Sequence, residues 1–280
     1  MPSICLACII YTLEDKPVED NCYLNIFYMW LSKVIQNGGL TQNDMLHVHV
    51  DLRTMNYLEN NNTVFPDIYA KLPCQSKFII ISPPKNSLEG MMNKYKYENY
   101  TQDIYIYCDI DILIINPFHI MTDKMKPNTL YTCGEGNLRD IYYSEGFSVS
   151  EDLVGFSAGK FALYGKSLLE EFFEKINKYC DYSTNYITVE QPYFNRAVYE
   201  IGDSHTVDTK LLTYHVSFNE HSYYDTDAIT IFYDLAGNAG NGIIHLKKIM
   251  DTISLFACGY YKDYDKVSIG KNIVDQIEYG

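Results

Sequence analysis

A chain of 280 residues with 47% hydrophobic content has ample material for one large α/β domain or two small ones. Its formal net charge of −14 argues against a nucleic-acid binder, whose electrostatic footprint would be basic, and means that an anionic ligand would need a metal ion or a local cation to be held. No apolar run reaches the roughly 18 residues of a membrane span, and no basic region precedes the first apolar stretch, so neither an anchor nor a signal peptide is expected.

Taken in order, residues 4–11 (ICLACIIY) read as a buried strand, followed by a polar turn to Pro17. Asp20 or Asn21 can cap the next helix, whose apolar positions Tyr23, Phe27, Trp30 and Val34 recur at helical spacing until Asn37-Gly38-Gly39 stops it. Residues 45–50 form a second strand ending at Asp51. This β-α-β opening lacks both G-x-G-x-x-G and a phosphate-loop lysine, which disfavours dinucleotide and P-loop enzymes. Residues 77–82 are a third strand, and residues 88–100 are expected to form a helix carrying Lys94 and Lys96.

Residues 105–118 (YIYCDIDILIINPF) place Asp109 and Asp111 inside an apolar run. Buried charge without compensation costs several kcal/mol, so the two acids need a reason to be there. If the strand continues through them, they share a face with Cα atoms roughly 6.5–7 Å apart and can reach one cation. The alternative ends the strand at Cys108 and leaves the acids as solvated turn residues.

Residues 130–133 suggest another short strand, and residues 134–150 an irregular surface excursion. Ser157, Ala158 and Gly159 then separate two apolar runs, small residues that either let backbone approach a ligand or make a plain bulge. Ser167 and Glu170 make a capping box for a helix buried through Leu168, Leu169, Phe172, Phe173, Ile176 and Cys180. Thr188 and Gln191 repeat the box, and Pro192 fixes Glu190 and Gln191 at the opening of a second helix, where free N–H groups suit a polar ligand. Strand-like runs follow between residues 204 and 216 and at 229–233. A Gly/Asn cluster at 236–242 then leads into a last strand, 242–246, containing His245. The eight cysteines have neither disulfide-framework nor zinc spacing; Cys108 falls in the central strand and Cys22, Cys180 and Cys258 on apolar helical faces. Reduced core cysteines imply an intracellular protein, cytoplasmic, in the host cytoplasm if a large virus encodes it.

Together these pieces resemble the family 8 glycosyltransferases of GT-A fold, including glycogenin and the bacterial lipooligosaccharide galactosyltransferases. The resemblance rests on residues 9–12 (IIYT), 108–113 (CDIDIL) with Asn116-Pro117, Phe156-Ser157-Ala158-Gly159, residues 190–195 (EQPYFN) and Ile244-His245-Leu246. It implies an α/β GT-A domain with a Rossmann-like mixed sheet over residues 1–246 and a C-terminal extension, 247–280, packed on it. It implies Asp109, Asp111 and His245 as ligands of Mn²⁺, with Mg²⁺ as the substitute, and a UDP-sugar donor. Tyr11 and Thr12 would line the uridine pocket, Asp109 would also lie near the ribose, Ile110 would join the donor-binding residues, Lys94 would approach the donor, and Lys247 is a second candidate for the phosphates. Ser157, Ala158 and Gly159 would face the sugar hydroxyls, with Gln191 or Glu190 at the reacting face of a hexose transferred with retention. The chain departs from the family where Phe-Asn-x-Gly reads Phe-Ser-Ala-Gly and where no glycine follows His245. The acceptor, whether glycan, protein or small molecule, stays open, and so does a homodimer.

Two rivals remain. Asp109-Ile110-Asp111, with Gly202-Asp203 and Asp208 downstream, resembles a haloacid-dehalogenase-like phosphatase with Asp109 as nucleophile, although Leu113 and the hundred residues upstream fit it poorly. A non-catalytic sugar-nucleotide-binding protein is the other.

Overall fold

The structure, a computed structural model, describes residues 1–60, 64–139, 144–148, 152–212, 214–216 and 231–234. The strands are β1 (Ile4–Ile10), β2 (Met45–Asp51), β3 (Gln75–Ile81), β4 (Ile104–Cys108), β5 (Ile112–Ile114), β6 (Thr129–Tyr131), β7 (Gly134–Asn137), β8 (Val154–Phe156), β9 (Lys160–Tyr164), β10 (Thr206–Asp208), β11 (Tyr214–Val216) and β12 (Phe232–Asp234). The α-helices are α1 (Tyr23–Asn37), α2 (Leu52–Asn60), α3 (Val64–Tyr69), α4 (Ser87–Met92), α5 (His119–Thr122), α6 (Lys166–Tyr179) and α7 (Gln191–Gly202).

Seven strands form one sheet in the order β10-β6-β9-β4-β1-β2-β3. β3, β2, β1 and β4 run parallel, and β9 lies antiparallel between β4 and β6. Every residue of β1 is buried because helices cover both faces, as parallel strands require. Ile4, Leu6, Cys8 and Ile10 point to one core, with Trp30 and Phe27 of α1. Cys5, Ala7 and Ile9 point to the other, where Phe161 stacks on Tyr107 and meets Phe172, Phe173 and Phe194. The two-residue period of the strand thus divides one sequence between two cores. A second sheet, β11-β12-β5, hangs off the end of β4, and β7 and β8 pair as a hairpin.

Several local expectations are corrected. The helix expected at 88–100 stops at Met92, where Asn93 Nδ2 donates to Glu89 O and the chain tightens into a 3-10 turn, Asn93–Tyr95. Neither predicted capping box forms: α6 starts from Gly165 at φ +128, and Glu190 precedes α7 without a side-chain cap. Asn21, rather than Asp20, accepts the Tyr23 N–H at the start of α1. The excursion at 134–150 contains β7, and α2 and α3 occupy a stretch given no structure from sequence. Asp51 Oδ1 caps α2 by accepting from Arg53 and Thr54 N–H. Cys22 and Cys180 flank their helices instead of lying on them. The strand expected at 242–246, with His245, lies outside the described residues, as do Lys247, Cys258 and the extension. Among the described residues no helix is long and apolar enough to cross a membrane.

Candidate active site

Asp109 and Asp111 lie in a turn, not in a strand. β4 ends at Cys108, opposite Lys160 of β9, and the next amide, Asp109 N–H, donates to Gly159 O at 2.7 Å. Ile112 N–H then returns to Asp109 O at 3.1 Å, closing the turn before β5. The acids are nonetheless not plain solvated residues. Asp109 keeps 23% of its side-chain exposure and accepts from Tyr107 Oη at 2.5 Å. A Cβ on Gly159 would stand 2.8 Å from Asp109 Oδ2, so any larger residue would displace the carboxylate from this position.

Lys94 is wholly buried and converges on the same turn. Its Nζ lies 2.5 Å from Glu190 Oε1, 3.0 Å from Ala158 O and 3.9 Å from Asp109 Oδ1, over the Tyr107 ring at 4.9 Å. Such an ammonium is tolerable only with counter-charge and acceptors, and here it has both. Glu190 reaches it from the residue before α7, preceded by Val189 at φ +57, a costly conformation for a β-branched residue. Asn195, one turn into α7, holds the Phe156 N–H at 2.7 Å and the Phe156 C=O at 2.8 Å, fixing the helix against the strand that leads to Ser157-Ala158-Gly159.

The electrostatics are those of incompletely balanced acid. Burial raises the Asp109 pKa, Asp111 and Glu190 add to it, and Lys94 and the Tyr107 hydroxyl oppose it. Burial likewise raises Asp111, with Asp234 adding and Lys160 and Lys94 opposing. Two half-buried carboxylates under this strain suit a hard divalent cation such as Mn²⁺ or Mg²⁺ in donor chemistry. Among the described residues no third His, Cys, Asp or Glu joins them in a ready-made metal group.

The remaining predicted residues divide. Lys94, Asp109, Ala158, Gly159 and Glu190 are brought into direct contact, Asp111 lies two residues along the turn, and Gln191 follows Glu190 as the first residue of α7. Ala158 is buried with its carbonyl engaged by Lys94, and Ser157 Oγ accepts from Gly159 N–H at 3.3 Å. The side chain of Ile110 packs into the core, leaving only its backbone at the turn. Thr12 follows β1 next door, but its hydroxyl is engaged by Thr54 and Asn21 at 2.8 Å each and its N–H by Asp51 at 2.9 Å. Tyr11 is half-buried, with its ring against Gly90. Reasoning from sequence missed Tyr107, Asn195, Lys160 and Asp234; a lysine directly after Phe-Ser-Ala-Gly, at the head of an apolar strand, was the available signal. Of the phosphatase's downstream acids, Asp203 caps the end of α7 and Asp208 ends β10, which β6 and β9 separate from β4.

A largely parallel sheet continued by an antiparallel strand, flanked by helices and carrying a D-x-D turn off its fourth strand, defines an α/β protein of GT-A fold. No protein-family model and no curated protein matches the sequence. Among solved structures the chain is similar to an active-site mutant of LgtC, with a TM-score of 0.51 and 12% identity over 88% of this chain and 95% of that one. Apo mouse xyloside xylosyltransferase 1 aligns at a TM-score of 0.47 and 11% identity over 74% and 84%, and the glycosyltransferase GlyE of Streptococcus pneumoniae TIGR4 at 0.42 and 8% over 74% and 45%. At these identities the likeness to LgtC speaks for the fold alone.

Proposed function

We propose that the protein is a metal-dependent glycosyltransferase that moves a hexose from a UDP-sugar to an acceptor hydroxyl with retention of configuration. The observation that carries this reading is the convergence of Glu190, the Ala158 carbonyl and Asp109 on the buried Lys94 ammonium, at the end of β4 in a GT-A sheet. Ligands of open α/β sheets sit outside the carboxyl ends of the strands, which is where this network lies. Retention and the UDP-sugar rest on the family resemblance.

Asp109 and Asp111 would hold Mn²⁺ or Mg²⁺, with His245 as the expected third ligand. The cation would neutralise charge on the diphosphate as UDP leaves. Lys94 is already committed to Glu190 and Ala158, so its task is to hold the Glu190 carboxylate in place, not to grip a phosphate. Glu190 and Gln191 would face the reacting carbon of the sugar, with Ser157 to Gly159 against its hydroxyls. Tyr11 and Thr12 would border the base, Thr12 through its shape because its hydroxyl is taken, and Ile110 through its backbone. Lys247 is the remaining candidate for the phosphates. In the transfer the acceptor oxygen bonds the anomeric carbon, the bond to the diphosphate breaks, and the acceptor proton leaves with the departing group or to water. The same reading treats residues 1–246 as the catalytic domain and 247–280 as an extension.

The test is nucleotide release. UDP-glucose, UDP-galactose, UDP-N-acetylglucosamine, UDP-xylose and GDP-mannose are incubated with the protein, with and without Mn²⁺, and followed by chromatography. Slow Mn²⁺-dependent release of UDP from one donor is expected, water replacing the acceptor. Binding without any release would favour a non-catalytic binder, and a phosphoenzyme on Asp109 would favour the phosphatase.

A further inference from the structure

Lys160 is a second fully buried lysine beside the aspartate turn, and the proposed reaction gives it no task. It opens β9 directly after Gly159 and opposite Cys108. Its Nζ lies 2.6 Å from Glu135 Oε1 and 2.6 Å from Asp234 Oδ2. The partners come from separate elements: Glu135 from β7, and Asp234 from β12, where it pairs in register with Ile112, the residue after Asp111. One carboxylate would neutralise a buried ammonium. Two leave the triad with a formal charge of −1 beside the turn, since Asp234 pairs with the residue after Asp111 and Lys160 with the residue before Asp109.

We propose that the Glu135–Lys160–Asp234 triad sets how tightly the Asp109–Asp111 turn holds a divalent cation, with Lys160 as the attenuating charge. The inference rests on the preceding reading only in requiring that the turn bind a cation. Lys160 is on this view a positioning residue: it touches neither donor nor metal and acts through Asp234. Unit charges at short range in a poorly solvated site change the binding of a divalent ion by at least about tenfold each. Removing a carboxylate of the triad therefore weakens the cation, and removing the ammonium tightens it.

Opposite signs distinguish this from a structural role, in which every broken pair loosens the site alike. The experiment titrates Mn²⁺ alone, without nucleotide, into the full-length chain and reads free Mn²⁺ by electron paramagnetic resonance, with urea unfolding in parallel. Asp234→Asn is expected to weaken Mn²⁺ about tenfold or more, Lys160→Met to tighten it, and Lys160→Arg to leave it near wild type. In the charge-restoring pair Lys160→Met with Asp234→Asn, affinity returns toward wild type. Should Lys160→Met fail to fold, Lys160→Gln takes its place with the same expected tightening, and unchanged affinity in both Asp234→Asn and Glu135→Gln overturns the proposal. Loosening by Lys160→Met in folded protein overturns it too. Failure of wild type to bind Mn²⁺ overturns the cation-site reading itself, a result distinct from wild-type binding that ignores the triad.

Discussion

Lys94 Nζ meets Glu190 Oε1 at 2.5 Å, joining residues 96 positions apart through a pair almost wholly withdrawn from solvent. Because a buried pair is weak as a stabiliser but costly to break, the two single substitutions and the double should behave differently. Lys94→Met leaves Glu190 uncompensated and should cost about 3–5 kcal/mol in urea unfolding. Lys94→Met combined with Glu190→Gln should recover most of that stability while UDP release from the donor stays absent. Recovery of both would remove the pair from the reaction.

Gly159 is the contact on which the turn is seated. Gly159→Ala puts a methyl 2.8 Å from Asp109 Oδ2 and 3.2 Å from Ile112 Cδ1, so the carboxylate must move. The expected stability loss is about 1–3 kcal/mol, as for an overpacked site. Mn²⁺-dependent UDP binding should fall well beyond what that loss explains, as read by calorimetry on the folded variant.

Asn195 holds both polar groups of one backbone residue. Asn195→Ala leaves the Phe156 N–H and C=O buried without those partners, at about 1–3 kcal/mol for each stranded group. Asn195→Asp keeps an acceptor for the N–H but sets an unpaired buried carboxylate oxygen against the Phe156 and Gln191 carbonyls, so at neutral pH its thermal unfolding should fall at or below that of the alanine variant.

His47 and His49 give the fold an acid limit. Both are buried on β2, and burial chiefly lowers each pKa to about 4, with Lys77 assisting at His47 and His47 at His49, against the opposing charge of Glu98. Each folds neutral, so the contribution is intact above the ordinary histidine value of 6.5 and is lost as pH falls toward 4. The loss should approach roughly 3 kcal/mol per histidine below that range. Urea midpoints between pH 7 and 4 should show it, and His47→Gln with His49→Gln should flatten the slope.

β1 to β3 and α1 were readable because their signals are local: continuous apolar runs, and apolar positions at helical spacing closed by Asn37-Gly38-Gly39. That Asp109 and Asp111 interrupt an apolar run was readable too, and both keep only part of their exposure in the structure. Their conformation was not. Asp109 N–H still bonds the Gly159 carbonyl, fifty residues downstream, and the chain then turns so that Ile112 N–H reaches Asp109 O; the unbroken apolar run on both sides gives no local sign of that turn. Both capping boxes fit their spacing and failed, because Gly165 and Val189 bring the chain into α6 and α7 through positive φ, an entry set by tertiary contact. Lys160 escaped notice because a lysine heading an apolar strand looks like a solvated end until Glu135 and Asp234 close over it.

The most direct measurement is calorimetric titration of UDP into the full-length protein with Mn²⁺ and with chelator, in wild type and in Asp111→Ala. Metal-dependent binding by wild type and its loss in a variant that unfolds as cooperatively as wild type is the predicted result. Equal binding by the two proteins, or none by wild type at any Mn²⁺ concentration, would contradict the account.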